Sequence, residues 1–369
     1  MSQLYIGLMS GTSIDGIDAA LVDFSSFVPR LIDCQTYSYP QELITELHRL
    51  CFPGDNEIVR LGHADRAVAE AFASAVHSLL KTNAITPEKI VAIGSHGQTI
   101  RHMPDNKLGF SLQIGDPHTL AIQTGIDVIA DFRRKDIALG GQGAPLVPAF
   151  HQAVFAHSEQ SRVVVNIGGI ANITYLPAGK GAVVGWDTGP GNTLMDAWCK
   201  LHTGQSYDDK GQWAAQCKPD LILLRSLCSH PYFTHPPPKS TGRELFHLQW
   251  LEQHIAQCPH QLEPKVVQAT LVALTSHTIA QQIMNFGDVQ QVYVCGGGAQ
   301  NEFLMTCLKT DLQQCELDTT ESLGIPPDEV EAMAFAWFAW AFKHNVSTNL
   351  PSVTGAKRSA KLGVYCPHD

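Results

Sequence analysis

The chain has 369 residues, of which 44% are hydrophobic and 16% charged, and its formal net charge is −10 at pH 7. This length favours two domains of comparable size, and the apolar content excludes a largely disordered chain. The negative charge argues against binding to nucleic acid or anionic membranes, so an anionic ligand would need a local basic cluster such as Arg133, Arg134 and Lys135.

The cysteines and the first residues of the chain indicate the cellular compartment of the protein. Ten cysteines lie singly, with no CxxC pair, which is typical of reduced thiols in a cytoplasmic protein. The first residues lack the basic and apolar segments of a secretion signal. The apolar run over residues 332–342 is shorter than the roughly 20 residues that cross a bilayer, and it predicts a buried helix. We therefore expect a cytoplasmic protein that binds neither membranes nor nucleic acid.

A β-hairpin is the first predicted element. An apolar strand over residues 4–9 breaks at residues 10–13, and a second strand follows over 17–22. The same pattern returns over residues 163–175, where a strand reaches a glycine turn and continues as another strand. Because the same strand–turn–strand pattern occurs at two places, the sequence predicts a duplicated domain. Each copy would begin with a hairpin whose tip faces the other copy.

The remaining predicted elements alternate between helix and strand. In chain order we expect a helix over 65–80, strands entering 94–99 and over 128–130, a helix from near Asn192, a helical region over 266–284, a strand over 291–295 and a helix over 329–344. This alternation predicts an α/β layer structure. We expect a first domain over 1–132 and a second over 133–344, with 345–369 able to return to the first.

The first hairpin tip is a candidate ATP-binding segment. It combines small residues, hydroxyls and two acids, namely Gly11, Thr12, Ser13, Ile14, Asp15, Gly16, Ile17 and Asp18. Glycine lets backbone N–H groups come close to a phosphate, and the hydroxyls add further donors. The same residues also fit a plain type I′ hairpin turn.

Two further glycine clusters are candidate nucleotide contacts. The second hairpin tip offers Asn166, Gly168 and Gly169. Acting with the first tip, it would hold the β- and γ-phosphates from two sides. The third cluster consists of Gly296, Gly297 and Gly298. It lacks GxGxxG spacing and the lysine of a P-loop, and it fits either a flat surface beneath an adenosine or a helix N-terminus whose glycines serve packing alone.

Three polar side chains are candidates for the chemistry. Asp187 is the candidate general base, and it lies in the stretch 185–192, where glycine and proline predict a tight loop before a helix. An aspartate there also fits a turn former or a helix N-cap. His96 is either a sugar or phosphate contact or a structural residue beside an apolar strand. Arg133 is either an anion contact or part of a solvated basic face.

A series of segments resembles, in order, the motifs of the anhydro-N-acetylmuramic acid kinase family. They cover residues 9–18, 94–99, 130–133, 140–146, 166–172, 185–192, 240–244, 296–301 and 331–336. The resemblance implies a bacterial enzyme of peptidoglycan recycling that uses ATP and water to convert 1,6-anhydro-N-acetylmuramic acid into N-acetylmuramic acid 6-phosphate. It also implies an actin/hexokinase/Hsp70-type fold of duplicated ribonuclease H-like domains with the active site in the interdomain cleft, Mg²⁺, and a homodimer.

The same resemblance implies roles for individual residues. Asp187 would be the catalytic base, residues 11–18 would bind ATP, and the sugar side would include Asp18, Arg133 and Glu331. Two other functions compete with this interpretation. One is a simple sugar kinase of the same fold that phosphorylates an ordinary hydroxyl, and the other is a non-catalytic sensor of a sugar or nucleotide.

These residues support a concerted mechanism as a hypothesis. Asp187 would activate the water that attacks the anomeric carbon, while the γ-phosphoryl group captures the leaving ring oxygen in place of a second acid. Mg²⁺ and the hairpin donors would stabilise charge on the phosphoryl oxygens. Asp15 could hold the ion through water, and the sequence identifies no direct metal ligand.

Overall fold

The computed structural model describes residues 3–26, 28–104, 108–237, 239–242 and 245–369. It divides into two compact units, the first formed by Met1–Val154 with Glu329–Asp369 and the second by Phe155–Asp328. Within the described ranges, no helix is both long enough and apolar enough to cross a membrane.

The strands form one sheet in each unit. In chain order they are β1 (Leu4–Ser10), β2 (Ile17–Asp23), β3 (Arg30–Tyr37), β4 (Ile90–Met103), β5 (Phe110–Ile114), β6 (Val128–Ala130), β7 (Ser161–Ile167), β8 (Ile170–Leu176), β9 (Val184–Pro190), β10 (Val289–Cys295), β11 (Glu316–Thr319) and β12 (Val364–Cys366). The order in the first unit is β12-β6-β4-β1-β2-β3, with β5 paired to β4, and the order in the second is β11-β10-β7-β8-β9.

The two sheets share one topology. In the first unit β1 pairs antiparallel with β2, β2 pairs antiparallel with β3, and β1, β4 and β6 run parallel. In the second unit β7 pairs antiparallel with β8, β8 pairs antiparallel with β9, and β7, β10 and β11 run parallel. The predicted duplication of an α/β domain is therefore confirmed.

Helices cover these sheets. In chain order they are α1 (Gln41–Leu50), α2 (Glu57–Thr82), α3 (Pro117–Thr124), α4 (Arg134–Ala138), α5 (Pro148–Phe155), α6 (Thr193–Thr203), α7 (Leu221–Cys228), α8 (Leu248–Ala256), α9 (Pro264–Met284), α10 (Glu302–Asp311), α11 (Val330–Lys343) and α12 (Pro351–Thr354). Local sequence defines several of their ends. For example, Asp116 caps α3 by accepting from His118 N and Thr119 N, and α3 ends at Gly125 in the left-handed conformation.

Helix α11 lies directly on the first sheet because two glycines face it. Gly7 in β1 is opposite Gly94 in β4. A Cβ atom at Gly7 would overlap the carbonyl oxygen of Ala332, and one at Gly94 would overlap that of Phe335. The absence of both side chains lets the helix backbone contact the sheet, and α11 is buried along most of its length, as its apolar run predicts.

The observed division differs from the expected boundaries after residues 132 and 344. The segment that contains α4 stays with the first unit because the buried Asp136 carboxylate holds it there. That carboxylate accepts hydrogen bonds from Gly143 N, Asn349 Nδ2 and Thr354 Oγ1, each at 2.8 Å. Helix α11 belongs to this unit because it packs on β1 and β4.

One local prediction is wrong, because residues 185–192 are not a loop. Val184–Pro190 forms β9, which pairs with β8 and places Asp187 opposite Asn172. Only Gly191 and Asn192 separate this strand from α6. Glycine and proline predict a turn locally, whereas here the pairing with β8 supplies the backbone hydrogen bonds that keep the segment extended.

Candidate active site

The tip between β1 and β2 is anchored at two points. Ile14 is buried with φ 58°, and its N–H donates to the Gly11 carbonyl at 3.2 Å. A Cβ at Gly16 would come within 2.8 Å of Thr36 Cγ2, so this glycine is required for packing against β3. A Cβ at Gly11 would meet the Ser13 side chain only at an ordinary 3.4 Å. Gly11 can therefore be substituted with little internal strain.

Buried polar residues support the tip from beneath. The Ser10 hydroxyl lies 2.8 Å from the Gly16 carbonyl oxygen and 2.6 Å from Gln98 Oε1. Gln98 Nε2 donates in turn to the Gly11 carbonyl at 3.0 Å. Ser10 and Gln98 are both fully buried, so Ser10 of β1 and Gln98 of β4 hold the two ends of the tip without competition from water.

The buried His96 and the partly buried Arg133 form a second polar group in the first unit. The Arg133 guanidinium contacts His96 Nε2 at 2.8 Å and donates to the Gly143 carbonyl at 2.8 Å. His96 Nδ1 lies 3.2 Å from the Ser10 carbonyl oxygen. Burial, and then the Arg133 charge, lowers the pKa of His96 to about 3, so this imidazole is neutral at physiological pH.

Arg133 also experiences the field of acidic neighbours. Burial lowers the pKa of Arg133 to about 10, while the charges of Glu331 and Asp136 act in the opposite direction. The guanidinium thus remains positive near neutral pH and interacts electrostatically with Glu331 at the start of α11. The structure therefore associates three of the predicted residues, His96, Arg133 and Glu331, within one unit.

Asp18 lies in β2, the strand that follows the tip. Its Oδ1 accepts a hydrogen bond from Thr36 Oγ1 at 2.6 Å. Burial, followed by the charges of Glu329 and Asp18, raises the pKa of the Cys34 thiol. Asp18 and Glu329 therefore both act on one thiol, which stays protonated.

The second hairpin tip is bound to the start of α6. The Gly168 carbonyl accepts from Asn192 N at 2.8 Å, and the Gly169 carbonyl accepts from Gly191 N at 3.0 Å and from Thr193 N at 3.1 Å. The first amides of a helix have no partner within the helix. Here the tip supplies such partners, so its backbone is fixed to the helix.

Packing explains two of the three glycines in the third cluster. A Cβ at Gly296 would overlap Asn166 Oδ1, and one at Gly298 would overlap the Ile167 side chain. A Cβ at Gly297 would meet only Asn192 Nδ2, at 3.8 Å. The cluster thus closes over the end of β7 and the start of α6, and Gly297 alone has open space beside it. Nucleotide binding by these glycines stays a prediction.

Asp187 is held at its backbone and at its carboxylate. Its N–H donates to the Lys239 carbonyl at 3.3 Å, and its carbonyl accepts from the Tyr232 hydroxyl at 2.7 Å. Its Oδ2 accepts from Thr241 N at 3.0 Å. The segment around residues 232–241 therefore fixes both the position of Asp187 and the orientation of its side chain.

Sequence reasoning missed Lys239 and Tyr232. Lys239 is only 8% exposed, and its ammonium donates to the carbonyls of Tyr232 at 3.2 Å and Phe233 at 3.4 Å. It also lies 4.8 Å from the centre of the Tyr232 ring, and burial lowers its pKa. The available signal was its place directly before the motif 240–244, of which Arg243 and Glu244 lie outside the described residues.

The metal prediction concerns the first hairpin tip. Asp15 is exposed there. Among the described residues, no group of three or more His, Cys, Asp or Glu side chains is arranged to hold a metal ion. Mg²⁺ bound to nucleotides usually keeps several waters and takes one or two carboxylates together with phosphate oxygens. A single exposed carboxylate such as Asp15 fits that mode of binding.

Comparisons with known proteins extend over the whole chain. A profile of the family described as "Anhydro-N-acetylmuramic acid kinase" matches residues 3–368. The anhydro-N-acetylmuramic acid kinase of Shewanella sp. (strain ANA-3) is 56% identical over 359 residues, which are 97% of this chain and 97% of that protein. Its namesake from Shewanella amazonensis is 55% identical over 368 residues, with 100% of both chains covered.

Solved structures match at low sequence identity. The activator of the 2-hydroxyisocaproyl-CoA dehydratase from Clostridium difficile, with bound ADPNP, has a TM-score of 0.48 at 9% identity. The match covers 92% of this chain and 94% of that chain.

Proposed function

The chain belongs to the anhydro-N-acetylmuramic acid kinase family, and on that premise we propose that Asp187 is the general base of its reaction. The enzyme is a kinase of peptidoglycan recycling that acts on 1,6-anhydro-N-acetylmuramic acid. It uses ATP and water to open the anhydro ring and to phosphorylate O6, and the product is N-acetylmuramic acid 6-phosphate.

One observation carries the assignment of the base: the Asp187 carboxylate is oriented by a backbone amide and does not cap a helix. Its Oδ2 accepts from Thr241 N at 3.0 Å, whereas the N-cap of α6 is Asn192. Asp187 also lies within a strand, which argues against a turn former. A carboxylate held in a fixed orientation by one oxygen suits a general base, which has to meet its proton in a defined geometry.

The proposed reaction couples opening of the anhydro ring to phosphoryl transfer. Water attacks the anomeric carbon and gives a proton to Asp187, while the bond from that carbon to O6, the oxygen of the 1,6-anhydro bridge, breaks. The leaving oxygen attacks the γ-phosphorus of ATP, and ADP departs. One carboxylate is sufficient because the phosphoryl group captures the leaving oxygen that an acid would otherwise protonate.

The nucleotide contacts are proposed at the glycine-rich segments. The tip over residues 11–18 supports this because Gly11 has room beside it and Thr12 is exposed. Asn166, Gly168 and Gly297 are proposed as nucleotide contacts as well. Mg²⁺, when bound with ATP, supplies positive charge to the phosphoryl oxygens, and Asp15 would orient it through water.

The sugar side is proposed to include Asp18, Arg133 and Glu331, with His96 acting there directly or through a neighbour. The partly buried positive charge of Arg133 supports binding of an anionic or strongly polar sugar substituent. A homodimer in the cytoplasm is proposed as well, and size-exclusion chromatography with light scattering tests the oligomeric state.

The test is Asp187→Asn, with Asp209→Asn at an exposed aspartate as control. Asn fits the same space but cannot accept the proton, so turnover should fall by a factor of about 10² to 10⁴ while ligand binding persists. In ¹⁸O-labelled water, mass spectrometry should find the label at the anomeric oxygen and not in the phosphate. Turnover by Asp187→Asn at the parent rate would exclude Asp187 as the base. A product that keeps its anhydro ring would instead indicate a simple sugar kinase.

A further inference from the structure

The tip over residues 11–18 and Arg133 are connected through the imidazole of His96. We infer that His96 is a positioning residue: Arg133 keeps the ring proton on Nδ1, and that proton holds the Ser10 carbonyl from which the tip begins. The inference rests on the proposed function, in which the tip over residues 11–18 binds ATP. It predicts that a change at Arg133 alters nucleotide affinity through His96.

Hydrogen-bond chemistry determines the tautomer. A guanidinium has donors and no acceptor, so His96 Nε2, at 2.8 Å from Arg133, has to be the acceptor. A neutral imidazole that accepts at Nε2 carries its proton on Nδ1. Nδ1 lies 3.2 Å from the Ser10 carbonyl oxygen, and it can therefore donate to it. The reverse tautomer would place two donors against each other at Arg133 and two acceptors against each other at Ser10.

The surroundings keep this arrangement rigid. His96 is 5% exposed, and its ring packs against Phe335 with the ring centres 4.8 Å apart. Arg133 is restrained on its other side by the Gly143 carbonyl at 2.8 Å. Gly143 N donates in turn to the buried Asp136 carboxylate at 2.8 Å. The acceptor of the imidazole thus faces a fixed donor and not a mobile side chain.

Ser10 connects His96 to the tip. It is the last residue of β1, and its hydroxyl lies 2.8 Å from the Gly16 carbonyl at the far end of the tip. Gln98, in the same strand as His96, also holds the Gly11 carbonyl at 3.0 Å. A displacement of Ser10 would therefore move Gly11 and Gly16 together, and with them the groups proposed to contact phosphate.

Two substitutions at His96 test the roles of the two ring nitrogens separately. In His96→Asn the side-chain amide nitrogen occupies the place of Nδ1. An amide nitrogen always carries its protons, so it can donate to the Ser10 carbonyl with or without Arg133. In His96→Gln the amide group reaches the place of Nε2, and the donor to Ser10 is lost. We expect His96→Gln to weaken binding of a non-hydrolysable ATP analogue about tenfold, whereas His96→Asn should weaken it less than about threefold.

Arg133→Met supplies the decisive comparison, because it removes the group that sets the tautomer. In the parent protein it should weaken binding of the ATP analogue by about three- to tenfold. In the His96→Asn background the same change should alter nucleotide affinity less than about twofold, since an amide donor needs no tautomer partner. Calorimetric titration measures all four affinities, and circular dichroism checks that each variant is folded.

Gly11→Val distinguishes failure of the inference from failure of the proposed function. If Gly11→Val leaves nucleotide affinity unchanged in a folded protein, the tip is not the nucleotide site, and the inference falls with that proposal. If Gly11→Val weakens binding but Arg133→Met has the same effect in both backgrounds, only the role of His96 is overturned. Equal affinities for His96→Asn and His96→Gln would overturn it as well.

Discussion

At the residue scale, the base candidate depends on neighbours that take no part in proton transfer. Asp187 is held by the Tyr232 hydroxyl and by the segment that Lys239 secures. Lys239 is a buried cation whose ammonium donates hydrogen bonds to two backbone carbonyls, and burying a charge is costly. Its contribution is to hold the backbone of Tyr232, whose hydroxyl binds the Asp187 carbonyl.

Tyr232→Phe tests this positioning. The change removes the 2.7 Å hydrogen bond to the Asp187 carbonyl and retains the ring beneath Lys239. We expect turnover to fall about three- to tenfold, with nucleotide and sugar affinities within about twofold of the parent, because Asp187 loses orientation and not contact. Tyr207→Phe, at an exposed tyrosine of the same unit, is the control and should leave turnover unchanged. A folded Tyr232→Phe enzyme with parent turnover would contradict the positioning role.

At the element scale, the placement of α11 depends on the missing side chains of Gly7 and Gly94. This helix begins beside Glu331, so its distance from the sheet also sets where that carboxylate lies. A packed interior does not absorb an added methyl group without displacement of its neighbours.

Gly94→Ala should therefore destabilise the first unit. The new Cβ would overlap the Phe335 carbonyl oxygen, and overpacking of this kind costs about 1–3 kcal/mol or more. Gly62→Ala is the matched control, because that glycine is exposed within α2 and a Cβ there would meet no atom within 4 Å. The control should stabilise the protein by up to about 1 kcal/mol through helix propensity. Urea unfolding measures both, and equal stability of Gly94→Ala and the parent would contradict the close contact.

At the scale of the whole molecule, two buried histidines link stability to pH. Burial lowers the pKa of His96 and of His151 to about 3 each, from an ordinary value of 6.5. Between these values the unfolded chain binds protons that the native protein does not bind. The free energy of unfolding therefore decreases as pH falls below about 6.5, by up to about 1.4 kcal/mol per pH unit for each histidine.

Urea unfolding at pH 7.5 and pH 5.5 should reveal this loss. His151→Asn removes one of the two histidines whose pKa is lowered to about 3, so the difference between the two pH values should be smaller than in the parent. A parent protein equally stable at both pH values would show that these imidazoles are not buried in their neutral form.

The sequence by itself determined the features that depend on neighbouring residues along the chain. Both hairpins, the long strand β4 and the buried helix α11 follow from local apolar patterns and glycine breaks, and the duplication follows from the repeated hairpin. The motifs also singled out Asp187 and Arg133, since residue type and spacing are visible without a fold.

Only the tertiary structure decided which partners these residues meet. Residues 185–192 have the composition of a loop, yet antiparallel pairing with β8, the preceding strand, makes most of them a strand. The sequence predicts Gly296 and Gly298 as nucleotide contacts, and only the structure shows that a side chain at either position would overlap Asn166 or Ile167. The direction of the His96 proton depends on Ser10 and Arg133, which are far away in sequence. Periodicity records which face of an element is apolar, whereas packing and hydrogen bonding depend on distances that chain folding alone creates.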